Sequence, residues 1–534
     1  MFPTLVPIEV VRSPSFARRF LALLLILAVA AGLRLWQIDS LPPGFHFDES
    51  FEGLEAWRIL TEPGYKPIFL TGNFGVPPLN AYANALMFAL FQLFGAEAGP
   101  TAMRTTAALF GLLGVLVMFM LGEEMRRRQP ELTIVFPFFA ALVLAIMRWH
   151  LHFSRMGIEP IIVPLEWTAA NWLLLRGWRS NRWPSFAALG AVLAACLYTY
   201  QGAWVIPLLV ALTAIHLILY DRRVPYEDHD RSIGQEKQAR WRGLVIAAAV
   251  ALILVLPLAW FFVNNNELLF LRPGQVAIAG DEAATGNVWQ NAWASVRMFF
   301  PVGMTGDLDP RRNLPGAAAL NIWLAVPFAA GFLMALWRIR KPVYSLLIIG
   351  LVGLLIPGMV SEYAPHFHRV LGAAAPTAML IALPLAWILE YSRRSARLGD
   401  AGRWLGPALI GLILLLATAT SARNYFVRWA ALPELFHAFD EGLWELGQWI
   451  SDQPPETPVY LTPRDADHAT LAFAWRPGID SHGPPVSFDG RYIFPLTANS
   501  LQESEQYAVI EHEDFRTRLL LPEVFPEASV LHQI

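Results

Sequence analysis

With a single cysteine, Cys196, in 534 residues, the chain has no intrachain disulfide and no cysteine-based zinc site. Cys196 lies inside an apolar run and reads as a small packed residue, not a nucleophile. Charge is scarce as well: Asp, Glu, Lys and Arg make up 16% of residues and sum to a formal net charge of -3. That balance carries no signal of a nucleic-acid or acidic partner. Solenoid-like repeats and low-complexity tracts are absent too. What the chain has in quantity is apolar side chain, 55% of residues, including 20 Trp and 34 Phe. So apolar a composition indicates a polytopic membrane protein, with aromatics suited to interfacial belts.

Apolar stretches long enough to cross a bilayer fall near 20–38, 104–122, 133–150, 160–176, 184–200, 202–220, 243–263, 317–337, 343–360, 370–390 and 404–422. Segment 80–96 is apolar too, and whether it crosses sets the parity of everything after it. If it does not, the basic loops at Arg126-Arg127-Arg128, Arg176 to Arg182, Arg222 to Arg242, Arg338 to Lys341 and Arg393 to Arg403 share a side with Arg12, Arg18 and Arg19. These loops then obey the positive-inside rule, and under the other parity all would break it. Segment 80–96 is therefore read as a juxtamembrane or re-entrant helix, which leaves about eleven spans with the amino terminus cytoplasmic. Ala28-Val29-Ala30-Ala31-Gly32 has the small residues of a signal-peptide cleavage site. The apolar run is long for a signal peptide, however, and cleavage would remove the basic anchor, so the first segment reads as a retained span.

This parity gathers the chemically interesting residues on the outer face. Asp48-Glu49, the His150 to Glu159 turn, Tyr200-Gln201, the 264–316 loop, Ser361 to Arg369 and everything after Arg423 emerge there. In the 264–316 loop, Val288, Trp289, Ala292, Trp293, Val296, Phe299 and Phe300 recur at helical spacing, as in an amphipathic helix lying in the interface. From Pro433 the long apolar runs stop. A helical stripe at Leu435, Phe436, Phe439, Leu443, Leu446 and Ile450 is followed by β-like runs at 459–461, 486–488, 492–494 and 507–510. The expected organisation is a cytoplasmic amino terminus (1–19), a transmembrane domain (20–432) and an extracytoplasmic α/β domain (433–534). The expected fold class is an all-α polytopic membrane protein with a small carboxyl-terminal α/β domain.

Carboxylates beside hydrocarbon are costly unless they face a cavity or a partner, which makes Asp48-Glu49 the leading catalytic candidates. With a helix starting near Ser50, Asp48 can serve as its cap and still accept a proton, and Glu52, Glu55 and Arg58 follow at helical offsets. Glu159 precedes Pro160 at the start of a span, where it either completes the site or meets the helix dipole. His150 and His152 with Glu159, or His46 with Asp48, are metal-ligand types at spacings that match no zinc motif, so a divalent metal is possible and its identity open. On the outer loops Arg311, Arg312 and Arg369 suit phosphate oxygens. Asp307 and Asp309 are simpler partners for the first two, and the headgroups for the third.

Taken together, these residues resemble a family. Phe47-Asp48-Glu49 after the first span, Val76-Pro77-Pro78-Leu79, Arg104, Ser154-Arg155 and a late Arg369 with Pro376 are similar to the GT-C glycosyltransferases of the protein O-mannosyltransferase and ArnT type. The resemblance covers roughly residues 20 to 420, and Gly306 to Gly316 looks like a loop common in bacterial members. It implies a GT-C-like fold, a polyprenyl-phosphate sugar donor, and a lipid, glycan or protein acceptor on the outer face of the plasma membrane. It also implies a catalytic Asp in the first outer loop. Carried over by position, Asp48 is the general base with Glu49 beside it, and Glu159 is the counterpart of a second acid. Arg58, Arg311, Arg312 and Arg369 are candidates for the donor phosphate; His46, Tyr200, Gln201, Asp307, His366 and His368 are candidates for the substrates. The chain departs from the family at Val76, where members often carry His or Lys. The expected reaction is one inverting displacement, with the need for a divalent metal left open. The rival classes are a transporter or flippase of lipid-linked sugars, for which no paired inverted repeat is visible, and a scaffold whose outer domain binds a partner.

Overall fold

The first apolar run forms α1 (Phe16–Leu35), and the polar stretch after it folds into α2 (Phe47–Thr61) and α3 (Leu79–Leu93) before α4 (Pro100–Arg128) begins. The chain continues through α5 (Phe136–Ile146), α6 (Arg148–Phe153), α7 (Ile162–Ser180), α8 (Trp183–Thr199), α9 (Ile206–Arg223), α10 (Arg231–Asn264) and α11 (Asn266–Val276). Then come α12 (Val288–Arg297), α13 (Ile322–Trp337), α14 (Pro342–Met359), α15 (Ala374–Arg394) and α16 (Gly402–Arg423). The computed structural model describes residues 16–223, 231–276, 287–395, 399–454, 457–476, 484–494 and 505–534. Arg12, the middle of the 221–242 loop and residues 277–286 of the 264–316 loop lie outside the described residues.

Among the described residues, seven helical segments are long and apolar enough to cross a membrane: Phe16–Leu35, Pro100–Arg128, Gln201–Arg222, Glu236–Asn264, Pro342–Met359, Leu371–Arg394 and Gly399–Trp429. Leu79–Leu93, Phe136–Ile146, Trp183–Thr199 and Ile322–Trp337 are shorter apolar helices. Each of the expected spans has a helix, but two differ in kind. The run at 133–150 breaks at Met147, whose backbone is extended (φ -65°, ψ 116°), so α5 has 11 residues. A helix of that length rises about 16 Å, short of a hydrocarbon layer of about 30 Å. It is packed among α1, α4 and α15 as bundle core. The run at 160–176 becomes α7, which carries buried Glu166 and Asn171 on a largely buried surface.

The direction of α1 and α4 bears on segment 80–96. Arg19, near the start of α1, pairs with Glu123 near the end of α4. At the opposite end Arg104, in the first turn of α4, donates to the Gly44 carbonyl just past α1 (2.8 Å). The two helices are antiparallel, so residues 36–99 leave and rejoin the same end of the bundle, and α3 makes no net crossing.

At the other end the loops are stitched by ion pairs. Glu124 takes Arg127 (2.9 Å) and Arg179 (2.7 Å), and Asp221 takes Arg128 (2.6 Å) and Arg240 (3.2 Å). Glu131 takes Lys341 (2.6 Å) and Arg338 (3.5 Å). Four of the five basic loops grouped by charge parity are thus grouped in space, the exception in these pairs being Arg393 to Arg403.

After a π-helical turn (Asn424–Trp429) the chain forms α17 (Leu435–Ala438), α18 (Glu441–Ser451), β1 (Val459–Thr462), α19 (Ala469–Trp475), β2 (Val486–Ser487), β3 (Gln506–Val509) and α20 (Phe515–Val524). The expected stripe from Leu435 to Ile450 is split because Asp440 adopts φ 48°, which ends one helix and starts the next. The strands form a parallel sheet in the order β2-β1-β3, with Tyr460 between Val486 and Tyr507. The run at 492–494 is a turn, since the amides of Tyr492 and Ile493 both donate to the Asp489 carbonyl (3.0 Å each). This region has its own small core around Ile450, Leu461, Leu471 and Trp475. It also contributes Phe473 to the core built by Phe45, Ala56, Ala81, Phe88 and Met103 of the first outer segment.

Candidate functional site

The site begins with the way its loop is held. Arg155, buried, uses all five guanidinium N–H groups: Leu33 and Arg34 carbonyls accept at 3.2 and 2.7 Å, Gln37 and Leu41 carbonyls at 3.0 and 2.9 Å, and the Tyr425 hydroxyl at 3.2 Å. A cation over the open carbonyl end of α1 satisfies groups that burial would otherwise leave costly, and it fixes where the chain turns toward α2. Gly44 (φ 55°) then passes so near the carboxyl-terminal region that a Cβ there would lie 2.4 Å from the Phe439 carbonyl oxygen.

α2 starts at Phe47, three residues earlier than the sequence suggested, and its cap is His46, not Asp48. His46 Nδ1 accepts from the Asp48 amide (3.1 Å). His46 Nε2 also lies 3.0 Å from Arg311 Nη1; a neutral imidazole has one acceptor nitrogen, so the cap and the Arg311 contact compete for it. Freed from capping, the Asp48 carboxylate sits in the positive first turn of α2, accepts from Asn73 Nδ2 (2.9 Å) and remains 37% exposed.

The neighbouring acids are buried. Glu49 accepts from the Gly157 amide (2.6 Å), while its second oxygen, Oε2, has no hydrogen-bond partner among the described residues. Glu52, one turn along the same face, accepts from Asn80 Nδ2 (2.5 Å) and is hydrogen-bonded to Glu159. Burial is the main cause that raises the Glu52 carboxyl well above the usual range, followed by the charge of Glu159, their hydrogen bond and the charge of Asp48. Two buried carboxyls that touch share a proton, because both cannot ionise at that separation. Glu159 opens the short helical turn Glu159–Ile161 before α7, and its side chain joins the acid cluster.

Across from Asp48 is the 306–317 loop. Arg148 holds it through Asn313 Oδ1 (2.6 Å) and the Ala318 carbonyl (2.7 Å), and His152 through the Arg311 carbonyl (2.8 Å). Burial is the leading cause that pushes His152 down to about 3, so it holds this loop as a neutral ring. Asp309 is bound by Arg311 (2.5 Å) and Arg312 (2.9 Å), and Asp307 by Arg312 (2.9 Å) and the Phe367 amide (2.9 Å). Burial would raise Asp309, but the Arg311 hydrogen bonds and the charges of Arg312 and Arg311 outweigh it and hold the carboxyl below its usual range. The adjoining cavity has a volume of about 680 Å³, within the range of small-ligand sites, and is bordered by Arg297, Asp307, Asp309, Arg312 and Tyr363.

Arg369 pairs with Glu362 (2.9 Å) beside Tyr363, while its buried Nη1 has no hydrogen-bond partner among the described residues. His366 packs on Tyr363, and its proton affinity is depressed first by burial and then by Arg312 and Arg369. His368 stacks on Tyr200 (5.3 Å), and Gln201 donates to the Gly75 carbonyl (3.0 Å).

Most sequence candidates therefore converge at one end of the bundle: His46, Asp48, Glu49, Glu159, Arg311, Arg312, Asp307 and, around Tyr363, Arg369, His366 and His368. Tyr200 and Gln201 close the third turn of the same end. Arg58 does not join them. It lies ten residues past Asp48, about 15 Å along the helix, paired with Glu55 and Glu62 at 3.1 Å and set over the Tyr65 ring. Among the described residues, no three His, Cys, Asp or Glu side chains are grouped to hold a metal ion. His150 is turned to Arg34 (2.9 Å), and Glu159 to Glu52. Sequence reading did not assign Glu52, Asn73, Asn80, Asp309 or Tyr363 to the site. For Glu52 the signal was present, since positions three and four apart share a helix face.

The chain matches no protein-family model and no curated protein. Its architecture does match solved structures. ArnT from Cupriavidus metallidurans in the apo state superposes with a TM-score of 0.54 at 16% identity, over 88% of this chain and 86% of that one. The same protein bound to undecaprenyl phosphate gives 0.51 at 15% identity, over 87% and 85%. The oligosaccharyltransferase of Archaeoglobus fulgidus, tethered with an acceptor peptide containing the NVT sequon, gives 0.52 at 15% identity, over 89% of this chain and 64% of that one. The chain thus spans under two thirds of the oligosaccharyltransferase. The likeness is one of fold: this chain has a GT-C-like membrane fold with a small sheet region near its carboxyl terminus.

Proposed function

We propose that the chain is an integral membrane glycosyltransferase that moves a sugar from a polyprenyl-phosphate carrier to an acceptor at the carboxylate-rich end of the bundle. One observation carries this reading: of the four clustered acids, Glu49, Glu52 and Glu159 are buried and braced, while Asp48 alone is released from capping and reaches solvent. The similar folds solved with undecaprenyl phosphate, a dolichol phosphate and an acceptor peptide support the class of donor and acceptor. The positive-inside pattern supports a cytoplasmic amino terminus, which turns the Asp48 end and the carboxyl-terminal region to the outer face of the cell membrane.

A sugar on a phosphate carrier already has a good leaving group, so the protein must orient two substrates, take one proton and meet the charge that grows on the phosphate. Asp48 takes the proton of the acceptor hydroxyl or amine as that atom bonds to the anomeric carbon. The bond from the sugar to the carrier phosphate breaks, its electron pair stays on the phosphate oxygen, and a single displacement inverts the centre. Arg369 is the first choice for the phosphate because it keeps an unpartnered N–H-bearing nitrogen, and Arg311 and Arg312 border the approach with charges already matched by Asp309 and Asp307. The test is transfer from polyprenyl-phosphate sugars by purified protein in detergent, where a transporter forms no product. Wild-type activity with loss in Asp48→Asn supports the assignment; full transfer by a correctly inserted Asp48→Asn overturns it.

A further inference from the structure

At the basic end of the bundle, away from the acids, the ends of α7 and α9 and the start of α10 enclose a cleft of about 50 Å³. Its walls are the indole rings of Trp178 and Trp241 with Leu244, and its rim carries Arg222, Lys237 and Arg240. Asp221 is the acid inside it, and its oxygens are already occupied by Arg128 (2.6 Å), Arg240 (3.2 Å) and the Trp178 indole N–H (2.9 Å). Arg240 is shared with Glu236 (3.2 Å), while Arg222 makes no ion pair among the described residues and so leaves the rim a positive charge unmatched there.

We propose that this cleft binds the phosphate of an anionic phospholipid from the surrounding bilayer. A volume of this size holds roughly four water-sized groups, which suits the oxygens of one phosphate and excludes a nucleotide. Basic pockets between spans near the membrane surface draw anionic headgroups, and indole rings sit at the same depth. The lipid source, as opposed to free phosphate, follows from what the cleft opens onto. Trp241 is 53% exposed and Val245 64%, and the exposed apolar stripe continues along α10 through Leu252 and Leu256, where acyl chains would lie.

The test uses the full chain in nanodiscs containing phosphatidylglycerol and phosphatidylcholine, with native mass spectrometry of lipid kept through delipidation. Wild type should keep phosphatidylglycerol, and Arg222→Ala with Lys237→Ala should bind it about thirtyfold more weakly, about fivefold for each residue. Arg222→Lys should restore most of that. Equal retention by wild type and the double variant overturns the proposal. So does an equal loss on Arg338→Ala with Lys341→Ala at the same end, because retention would then reflect the general field and not the cleft. Displacement by inorganic phosphate at matched concentration would make the site one for the free anion and would also overturn the lipid assignment.

Discussion

The two ends of the helical bundle are built from the same residue types, arginine and carboxylate, and use them in opposite ways. At the basic end Glu124 and Asp221 each take cations from two loops and Glu131 takes two from the 338–341 loop, so charge ties helices together. At the other end Glu49, Glu52 and Glu159 are pressed together, and among the described residues Glu49 Oε2 and Arg369 Nη1 have no hydrogen-bond partner. Burying charge without compensation is unfavourable and persists where something else requires it, so this imbalance supports the proposed site.

The sharpest test of that contrast is Asp48→Asn, which should lower transfer by about 10²- to 10⁴-fold, the range for a general base. Thermal stability should stay near wild type, as measured by transfer rate and melting of the same preparation. Arg369→Ala should lower the rate about 10²- to 10³-fold if its free nitrogen meets growing negative charge, while Arg338→Ala at the basic end should leave the rate alone; equal losses in the two would erase the distinction between the ends. Gly157→Ala comes next. A Cβ there would lie 2.9 Å from Met103 Cβ and 3.4 Å from Glu49 Oε1, so stability should fall by about 1–3 kcal/mol and the Glu49 brace should loosen, visible as a drop in melting temperature together with activity.

A subtler effect should come from the Glu52–Glu159 proton. A carboxyl raised in the folded protein contributes stability that is fully present below its ordinary unfolded value and is lost progressively as pH rises from there through the raised folded value. Wild type should therefore melt progressively earlier as pH rises above the ordinary carboxyl range, and Glu52→Gln, which keeps an N–H in place of the shared proton, should flatten that decline; coincident profiles would mean that no proton is shared. Smallest of all, Arg179→Ala should cost about 0.2–1 kcal/mol, as exposed pairs do, since Arg179 is half-exposed and Glu124 keeps Arg127.

Much of this contrast was legible in the chain itself. Charge parity placed segment 80–96 without a net crossing, and the antiparallel run of α1 and α4 agrees. The pairing of Arg311 and Arg312 with Asp309 and Asp307 was readable because the partners lie within five residues. What depended on distant contacts was not. Nothing near Asp48 foretells Asn73 or Arg311, and His46 displaced Asp48 as cap because its ring nitrogen reaches the next amide but one. The break at Met147 lies inside an unbroken apolar run, where composition cannot separate one span from a short buried helix followed by a turn.

The packing of Phe473 against Phe45 and Phe88, with Gly44 pressed on Phe439 and Glu441, has a consequence for how the molecule comes into being. The loop bearing Asp48 leaves the ribosome well before Phe473, which finishes the core beneath it. Until then this loop waits with its apolar underside uncovered. A chain stopped after α16 would still lack the surface on which α2 rests.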